Sequence, residues 1–364
     1  MTSFPKVSTT ARLGVVVTSL LLLLPRSAES FSQNHISFSS RHPISYFAAS
    51  SSTSSDNGSP ANNENGNPPV PPPTITLERL AHDLAQSKFQ KIVVLIGAGM
   101  SVSAGIPDFR TPGTGLYSKL DEYQLPYPEA IFELSYFQQN PAPFVDVARA
   151  IWPGQAEGPK PTLAHSFVAL LEQRGMLKRV YTQNIDGLER LAGVSDEKLI
   201  ECHGHFSTAS CTKFMCRRKG DIDIEACRDL YMQGKAMNCP DCDSLVKPDI
   251  VFFGEELPSI FVDHINPDMD DCDLLIVMGT SLLVAPVASI PNWVGEKVPR
   301  VLINRDLVGS FATAARRAKQ NPEFLSRDVF AQGDCDDGAR IICELAGDDW
   351  ITQLQTMHKT SSSE

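Results

Sequence analysis

Three apolar runs constrain the fold of this chain more than any other feature. Each is short and unbroken and ends in small or polar residues: KIVVLIGAGMS from Lys91, DLLIVMGTSL from Asp273 and RVLINRD from Arg300. Continuous apolar runs of this length are typical of strands that are buried on both faces. Helical patterns such as Ala164 to Arg174 lie between the runs. The alternation predicts an α/β fold, a Rossmann-like doubly wound parallel sheet, with ligands beyond the carboxyl ends of its strands.

Two regions interrupt this alternation. Residues 107–161 are rich in Pro and aromatic residues, which predicts a helical insertion with a mobile loop. Residues 204–247 carry the cysteine pairs and form a separate small module. We expect the catalytic domain to span 74–350, beginning with a helix in ITLERLAHDLAQS that Thr74 or Thr76 caps. Residues 351–364 are predicted to be a polar tail.

The first 73 residues have the composition of targeting and linker segments. Lys6 and Arg12 precede an apolar run that is too short to span a bilayer, and small residues follow it, so residues 1–30 are predicted to be a signal peptide. Residues 31–73 are predicted to be a transit-like segment that continues into a disordered linker rich in Ser, Asn and Pro. Together they predict delivery to an organelle, with a complex plastid favoured. A mitochondrion is an alternative, as is the cytoplasm or nucleus if the start codon is wrongly assigned.

The net charge of the chain indicates which classes of partner it is expected to bind. The formal net charge is −11 at pH 7. Broad nucleic-acid binding depends on basic surface that releases counterions, so no direct nucleic-acid partner is expected. Negative potential is compatible with lysine-rich protein substrates. The short N-terminal apolar run also predicts no stable membrane span.

Two close cysteine pairs are the strongest metal signal. Cys211 and Cys216 are followed after twenty-two residues by Cys239 and Cys242. Four thiolates at such spacing are typical of a tetrahedral structural zinc site, whose closed coordination stabilises the fold and does not activate water. Cys227, between the pairs, is interpreted as a spare thiol.

A glycine-rich segment follows the first apolar run. Gly97 and Gly99 would let the backbone approach a pyrophosphate, while a following helix would offer N–H donors at its start. A plain turn between strand and helix explains the same glycines. The dinucleotide fingerprint lacks its third glycine and its acidic ribose ligand, which argues against a dehydrogenase. Asn304, which ends the third run, is a candidate for contacts to the ribose.

Two polar clusters carry further candidates. TQNIDGLER places Gln183, Asn184 and Asp186 where a strand should end, although an Asn/Asp turn that satisfies its own backbone has the same pattern. His203 lies in CHGH, where it could be a structural histidine or form a metal pair with Cys202.

Taken together, these segments resemble the sirtuin family, and within it the deacetylases nearest to the cytosolic type that acts on tubulin and histones. The resemblance extends from about Thr74 to Trp350. It rests, in order, on GAGMSVSAGIPDFR, LPYPEAIFELSYF, YTQNIDGLER, HG, both cysteine pairs, VKPDIVFFGE, MGTSLLVAP, INRD and GDCDDG. It implies an NAD-dependent protein-lysine deacetylase that consumes NAD as a co-substrate and holds one structural zinc ion.

The resemblance also implies residue roles. In sirtuins the acetyl oxygen of the substrate lysine attacks the ribose carbon that bears nicotinamide, and O-acyl-ADP-ribose is released. By this analogy His203 is the general base on a ribose hydroxyl, which suits an imidazole that titrates near neutrality. Asn184 and Asp186 complete the implied catalytic set. The implied cofactor-binding residues are Gly97, Ala98, Gly99, Ser101, Ile106, Asp108, Phe109, Arg110, Gln183, Asn184, Ile185, Asp186, Gly279, Thr280, Ser281, Asn304, Arg305, Asp306 and Cys335.

The implied substrate site lies in VKPDIVFFGE. Its residues Val251, Phe252, Gly254 and Glu255 would pair with the substrate backbone as an added strand. Val251 and Phe252 would wall an apolar tunnel for the acyl-lysine, although Phe252 taken alone reads as ordinary core. Tyr117 is not followed by an Arg three residues later, which favours neutral over acidic acyl groups.

Gly187 replaces a larger residue of the family and could loosen the pocket floor. Two other functions share the pattern. A protein mono-ADP-ribosyltransferase would use the same fold and NAD, and a reader would bind NAD or acyl-lysine without catalysis. The intact QNID segment and His203 favour deacetylation. The expected partners are acetylated protein lysines, including histone-like or tubulin-like substrates.

Overall fold

The secondary structure is known here from a computed structural model, which describes residues 75–106, 123–155, 158–216, 218–321 and 326–363. Its strands are β1 (Ile92–Ile96), β2 (Leu177–Thr182), β3 (Leu199–Glu201), β4 (Gly204–Cys211), β5 (Met237–Asn238), β6 (Leu245–Ile250), β7 (Leu274–Met278), β8 (Arg300–Asn304) and β9 (Asp328–Gln332). Its helices are α1 (Leu77–Ala85), α2 (Leu134–Gln139), α3 (Ala142–Ile151), α4 (Leu163–Gln173), α5 (Leu188–Leu191), α6 (Ile224–Met232), α7 (Ser259–Asp271), α8 (Gly309–Gln320), α9 (Cys335–Ala346) and α10 (Asp348–Ser363).

The predicted Rossmann-like sheet is confirmed. Six strands are ordered β3-β2-β1-β7-β8-β9, and every neighbouring pair is parallel. The three apolar runs form β1, β7 and β8 at its centre. Side chains of β1 alternate between two cores, with Ile92, Val94 and Ile96 on one face and Val93 and Leu95 on the other. The strand order reverses direction between β1 and β7, and ligands bind beyond the carboxyl ends at such a point.

The helix predicted at the start of the domain is present as α1. The Thr76 side chain accepts a hydrogen bond from the Arg79 backbone N–H and caps the helix. Helix α4 lies within one residue of the predicted Ala164 to Arg174. Thr162 and His165 form a capping box at its start.

The C-terminal segment differs from its prediction. Residues beyond Trp350 were expected to be a polar tail, but they continue as α10 to Ser363. Leu354 is fully buried and joins Trp350 in the main core, which holds this helix against α4 and α9. A sparse apolar pattern (Trp350, Leu354 and the partly buried Met357) was sufficient for helical packing, although most of the segment is polar.

The small module contains the second sheet. Strands β4, β6 and β5 are antiparallel in that order, and α6 packs against β4 and β6. The described part of the helical insertion contributes a 3₁₀ segment, Pro128–Phe132, followed by α2 and α3. Phe144 contacts the rings of Phe137, Tyr231 and Phe252 edge-on, so the insertion and the module share one aromatic core.

None of the described helices is both long and apolar enough to cross a membrane. Several predictions fall outside the described residues: the signal peptide, the linker, the loop expected in the helical insertion, Tyr117, Asp108, Phe109 and Arg110.

Candidate functional site

A cavity of about 530 Å³ lies at the carboxyl ends of the central strands, where the sheet meets the small module. It is lined by most of the residues that the sequence placed in a cofactor or substrate site. These are Gly97, Ala98, Gly99, Gln183, Asn184, Ile185, His203, Val251, Phe252, Gly254, Glu255, Gly279, Thr280, Ser281, Asn304, Arg305, Asp306 and Cys335. Segments as distant as residues 97 and 335 therefore meet at one site.

Of the predicted cofactor and substrate residues that the structure describes, three do not line the cavity. Ser101 and Asp186 are buried behind its wall, and Ile106 lies at the last described position before residue 107. The sequence also missed lining residues, most of them apolar: Val102, Phe132, Ile250, Phe253, Leu257, Val284, Ala285, Pro286, Val308, Gly333 and Asp334. Many belong to segments already noted, such as VKPDIVFFGE and MGTSLLVAP. Their apolar side chains carry no chemical signal of their own.

The glycine-rich segment does not start an α-helix, contrary to the prediction. Two 3₁₀ turns, Ala98–Met100 and Val102–Ala104, follow β1. Glycines, serines and a β-branched valine disfavour a regular helix here. The predicted helix N-terminus is therefore absent from this part of the site.

Close approach of two strand ends explains Gly97 and Gly99. A Cβ on Gly97 would lie 2.6 Å from Thr280 Cβ, and one on Gly99 would lie 2.8 Å from Gly279 Cα. The Gly99 N–H donates to the Gly279 carbonyl at 2.8 Å. Gly279 itself has φ +60°, a conformation that favours glycine. The turns after β1 and β7 are thereby pressed together at the floor of the cavity.

The loop after β2 is held by buried hydrogen bonds. Asn184 Nδ2 donates to the Gly97 carbonyl and to Ser101 Oγ, both at 3.2 Å. Ser101 Oγ donates to Asp186 Oδ2 at 2.7 Å. Gln183 Nε2 donates to Thr280 Oγ1 at 2.9 Å. The loop is thus tied to the turns after both β1 and β7, which is more than an Asn/Asp turn that satisfies only its own backbone.

His203 is a neutral imidazole with one ring nitrogen free to accept a proton. Its Nδ1 lies 2.9 Å from the Gln183 carbonyl oxygen. A carbonyl can only accept, so Nδ1 carries the proton of the neutral ring and Nε2 keeps its lone pair. Burial lowers the pKa of His203, which keeps the imidazole neutral near pH 7. Cys202 is buried in the core with its thiol towards the Ile200 carbonyl, so the two residues do not form a metal pair.

The wall opposite the sheet is built on Lys247 and Phe252. The Val251 N–H donates to the His203 carbonyl at 2.8 Å, which fixes this segment beside the histidine. Phe252 is 1% exposed, lines the cavity and belongs to the aromatic core. Lys247 Nζ lies 4.6 Å from the Phe252 ring centroid and 2.8 Å from Glu255 Oε2. Phe252 is therefore both core and cavity wall.

The four cysteines of the two pairs converge in the small module. Their sulfur atoms all lie within 4.8 Å of one another, with Cys211 and Cys242 at 3.5 Å and Cys216 and Cys239 at 3.7 Å. Four thiolates around tetrahedral zinc, with Zn–S bonds of about 2.3 Å, lie about 3.8 Å apart. The cluster is compatible with one structural zinc ion. Cys227 is buried in the module outside the cluster.

The comparison with known families agrees with this geometry. The model described as "Sir2 family" matches residues 97–286, which contain the glycine segment, the loop after β2, His203 and all four cysteines. The chain belongs to the Sir2 family.

Curated relatives of this Sir2 family member are similar over most of their length. NAD-dependent protein deacetylase sirtuin-2 of Danio rerio is 45% identical over 291 residues, covering 78% of this chain and 75% of the relative. NAD-dependent protein deacetylase hst2 of Schizosaccharomyces pombe is 43% identical over 286 residues, which cover 78% of this chain and 80% of the relative. NAD-dependent protein deacetylase sirtuin-3 of Mus musculus is 45% identical over 282 residues, which cover 77% of this chain and 78% of the relative.

One departure from the Sir2 pattern has a local explanation. Gly187 has φ +70° and precedes α5. The nearest atoms to a Cβ at this position belong to Pro153, at 3.9 Å. The position has room for a side chain, and its backbone conformation is one that glycine adopts without strain.

Proposed function

We propose that this Sir2 family chain is an NAD-dependent protein-lysine deacetylase. In the balanced reaction, acyl-lysine, NAD and water yield free lysine, nicotinamide and O-acyl-ADP-ribose. The observation that carries the proposal is the presence in one cavity of His203, Asn184 and the acyl-tunnel candidate Phe252. The three relatives described above are all named NAD-dependent protein deacetylases.

NAD would occupy the sheet side of the cavity. Bound NAD supplies an electrophilic ribose carbon with nicotinamide as leaving group. The turns after β1 and β7 would contact its phosphates, and the end of β8 would contact the adenosine half through Asn304, Arg305 and Asp306. Asn184 would orient the ribose, since its backbone and amide are both fixed by the protein. Asp108, Phe109 and Arg110 keep their proposed cofactor contacts.

His203 would act as the general base. Its Nδ1–H is held by the Gln183 carbonyl, so Nε2 is the atom that accepts the proton of a ribose hydroxyl. Because the ring is neutral near pH 7, the base is ready without a prior deprotonation. Asp186 does not reach the cavity surface, and we assign it to the support of Ser101 and Asn184.

The acyl-lysine would enter beside Val251 and Phe252. Apolar walls and the aromatic core behind them suit a neutral acyl group. The segment from Val251 to the turn at Gly254 would pair with the substrate backbone as an added strand. Acetylated lysines in histone-like or tubulin-like segments are the proposed substrates.

The test compares full-length protein, loaded with zinc, with its His203→Ala variant. We expect the wild-type chain to release O-acetyl-ADP-ribose from an acetylated peptide only when NAD is present. Loss of the general base should lower kcat by about 10²–10⁴-fold. Equal turnover without NAD, or an undiminished His203→Ala variant, would show the mechanism to be wrong. ADP-ribose attached to the peptide, with no O-acetyl-ADP-ribose, would indicate a transferase.

We also propose that residues 1–73 direct the chain to an organelle, with a complex plastid favoured over a mitochondrion. The proposal rests on the composition of this segment. A fluorescent protein fused after residue 73 should accumulate in the organelle. Uniform fluorescence in the cytoplasm and nucleus would contradict it.

A further inference from the structure

A cluster of three buried titratable side chains lies behind the cavity wall. His165, Asp186 and Glu189 each place one ring nitrogen or carboxylate oxygen within 4.8 Å of the others. Their exposed fractions are 0%, 8% and 1%. The deacetylase mechanism described above makes no use of Glu189 or His165.

Both carboxylates are connected to Asn184 through a hydroxyl group. Asn184 Nδ2 donates to Ser101 Oγ, which donates to Asp186 Oδ2. The Asn184 backbone N–H donates to Thr182 Oγ1 at 3.1 Å, and Thr182 Oγ1 donates to Glu189 Oε1 at 2.6 Å. Each hydroxyl has a single proton and gives it to a carboxylate, so it is left to accept from Asn184. Asn184 is therefore anchored twice, once through each carboxylate.

The charged groups around the two carboxylates, Asp186 and Glu189, do not neutralise them. Neither Asp186 nor Glu189 forms an ion pair with a lysine or arginine within the described ranges. Glu201, on β3, is a further carboxylate whose charge acts on both members of the pair, and Arg190 forms an ion pair with it. Burial raises the pKa of the Cys202 thiol, which stays neutral. Among the described residues, two carboxylates thus adjoin each other in a buried site without a cation, an arrangement that disfavours charge on both.

His165, on α4, does not supply the missing charge. Burial lowers its pKa to about 3, with the nearby His358 a smaller cause in the same direction. His165 Nδ1 accepts the Thr162 backbone N–H, so the proton of the neutral ring is on Nε2. This buried Nε2–H has no hydrogen-bond partner among the residues that the structure places. A neutral donor can stabilise one negative charge in the cluster but cannot balance two.

We propose that Glu189 is a positioning residue for Asn184, and that at neutral pH the Asp186–Glu189 pair keeps one proton and carries a single negative charge. The proton is on Glu189, because Asp186 accepts from both Ser101 Oγ and the Leu188 backbone N–H, which favours its ionised form. At higher pH this last proton leaves Glu189 for solvent. Repulsion between the two carboxylates then displaces the Thr182 anchor and disturbs Asn184. The effect on catalysis rests on the proposed deacetylase function.

Supporting pKa directions agree with this geometry. Burial raises the pKa of both carboxyls, and for Glu189 the charge of Asp186 is the next largest cause. A raised carboxyl pKa means that the folded chain binds more protons than the unfolded chain. Stability therefore falls as the pH rises from the ordinary Glu pKa through the raised one.

The test uses Glu189→Gln in the full-length, zinc-loaded protein. The amide oxygen still accepts from Thr182, but the second charge cannot form. We expect kcat/KM of the variant, relative to the wild type, to rise at least about threefold between pH 7 and pH 9, since only the wild type loses its anchor there. The melting temperature of the variant should exceed that of the wild type increasingly over the same range.

Glu172→Gln is the matched control. Glu172 also accepts a hydroxyl, from Ser195, but has no described contact with the loop after β2. This variant should follow the wild-type pH dependence in both measurements. Parallel pH profiles for the Glu189→Gln and wild-type proteins would overturn the proposal.

Infrared difference spectra of the wild-type chain test the proton without any variant. A buried protonated carboxyl band should be present at pH 7 and vanish at alkaline pH. Absence of that band at pH 7 would overturn the proposal, as would a second metal ion retained in the holoprotein, because a cation would replace the proton. If the wild type has no deacetylase activity, the proposed function fails, whereas the infrared and melting results still decide the state of the pair.

Discussion

The large parallel sheet and the small zinc module are stabilised by different interactions. All five residues of β1 and of β7 are fully buried, and helices cover both faces of the sheet. Strand β5 has only two residues, and the module shares one core with the helical insertion, in which aromatic rings from both regions pack together. Burial of apolar area is a large part of what stabilises the sheet, whereas the module also has four cysteines that can be cross-linked by one zinc ion. The cavity lies between these regions, so its two walls should respond to different perturbations.

The largest expected effect is on the module. In Cys239→Ser the tetrahedral set loses one thiolate, and zinc binding is worth about 10–16 kcal/mol in small zinc-finger peptides. We expect loss of bound zinc, loss of deacetylase activity by at least about a hundredfold, and retention of most of the helical circular-dichroism signal. Metal analysis, peptide assays and circular dichroism measure these three quantities.

Cys227→Ala provides the control within the same module. Cys227 is buried but lies outside the cluster, so this variant should keep one zinc ion per chain. A Cys239→Ser protein with one zinc ion and full activity would remove the distinction between the two regions.

The second expected effect is on the sheet. Gly97 has φ −135°, so Gly97→Ala introduces no backbone strain, but its Cβ would lie 2.6 Å from Thr280 Cβ and 2.7 Å from the Gly279 oxygen. We expect the free energy of unfolding to fall by about 1–3 kcal/mol, as in other overpacked sites. NAD should bind more weakly while the zinc content stays at one ion. Urea denaturation and NAD titration test this.

Gly295→Ala is the corresponding control. The nearest atom to its Cβ would be Val298 Cγ2, at an ordinary contact distance of 3.5 Å. Its unfolding free energy and NAD affinity should match those of the wild type. Equal stability of the Gly97→Ala and Gly295→Ala proteins would contradict the close packing of the turns after β1 and β7.

The smallest expected effect joins the two regions. Lys247, on β6 of the module, donates from Nζ to the Ile250 carbonyl and pairs with Glu255 beneath the substrate wall. Lys247→Met removes both interactions, and a charged hydrogen bond contributes about 1.5–3 kcal/mol. We expect KM for the acetylated peptide to rise about tenfold, and KM for NAD to change little.

Lys235→Met serves as the control for this substitution. Lys235 is exposed in the same module and its Nζ contacts only Gln233 among the described residues. Steady-state kinetics with each substrate varied in turn separate the two KM values. An equal rise in KM for NAD and for peptide would show that Lys247 supports the whole cavity and not its substrate wall.

Much of the fold could be predicted because its signals are local. Buried strands β1, β7 and β8 are continuous apolar runs, and the four cysteines carry metal-ligand spacing. Strands β3 and β9 escaped prediction because they lie at the edges of the sheet, where β3 has only three residues and β9 is incompletely buried. The 3₁₀ turns after β1 replaced a predicted helix because the packing of Gly97 and Gly99 on Gly279 dictates that path.

The residues of the site likewise divide into those with a local sequence signal and those without one. Polar residues at strand ends were found from the sequence, since their position after an apolar run is visible there. Lining residues such as Val284 and Val308 were not, because an apolar side chain in a cavity wall looks like any core residue. Glu189 also gave no signal, because its meaning depends on the burial of Asp186 beside it.

The resemblance to sirtuins supplied the residues that are proposed to act on NAD and acyl-lysine, whereas the sequence by itself determined the class of the fold and the metal-ligand set. These follow from residue type and spacing along the chain. Only the tertiary structure decided which nitrogen of His203 keeps its lone pair, that the chain beyond Trp350 packs as a helix, and that Asp186 and Glu189 adjoin each other in a buried site. Those properties depend on distance and burial, which arise when segments far apart in the chain exclude water together.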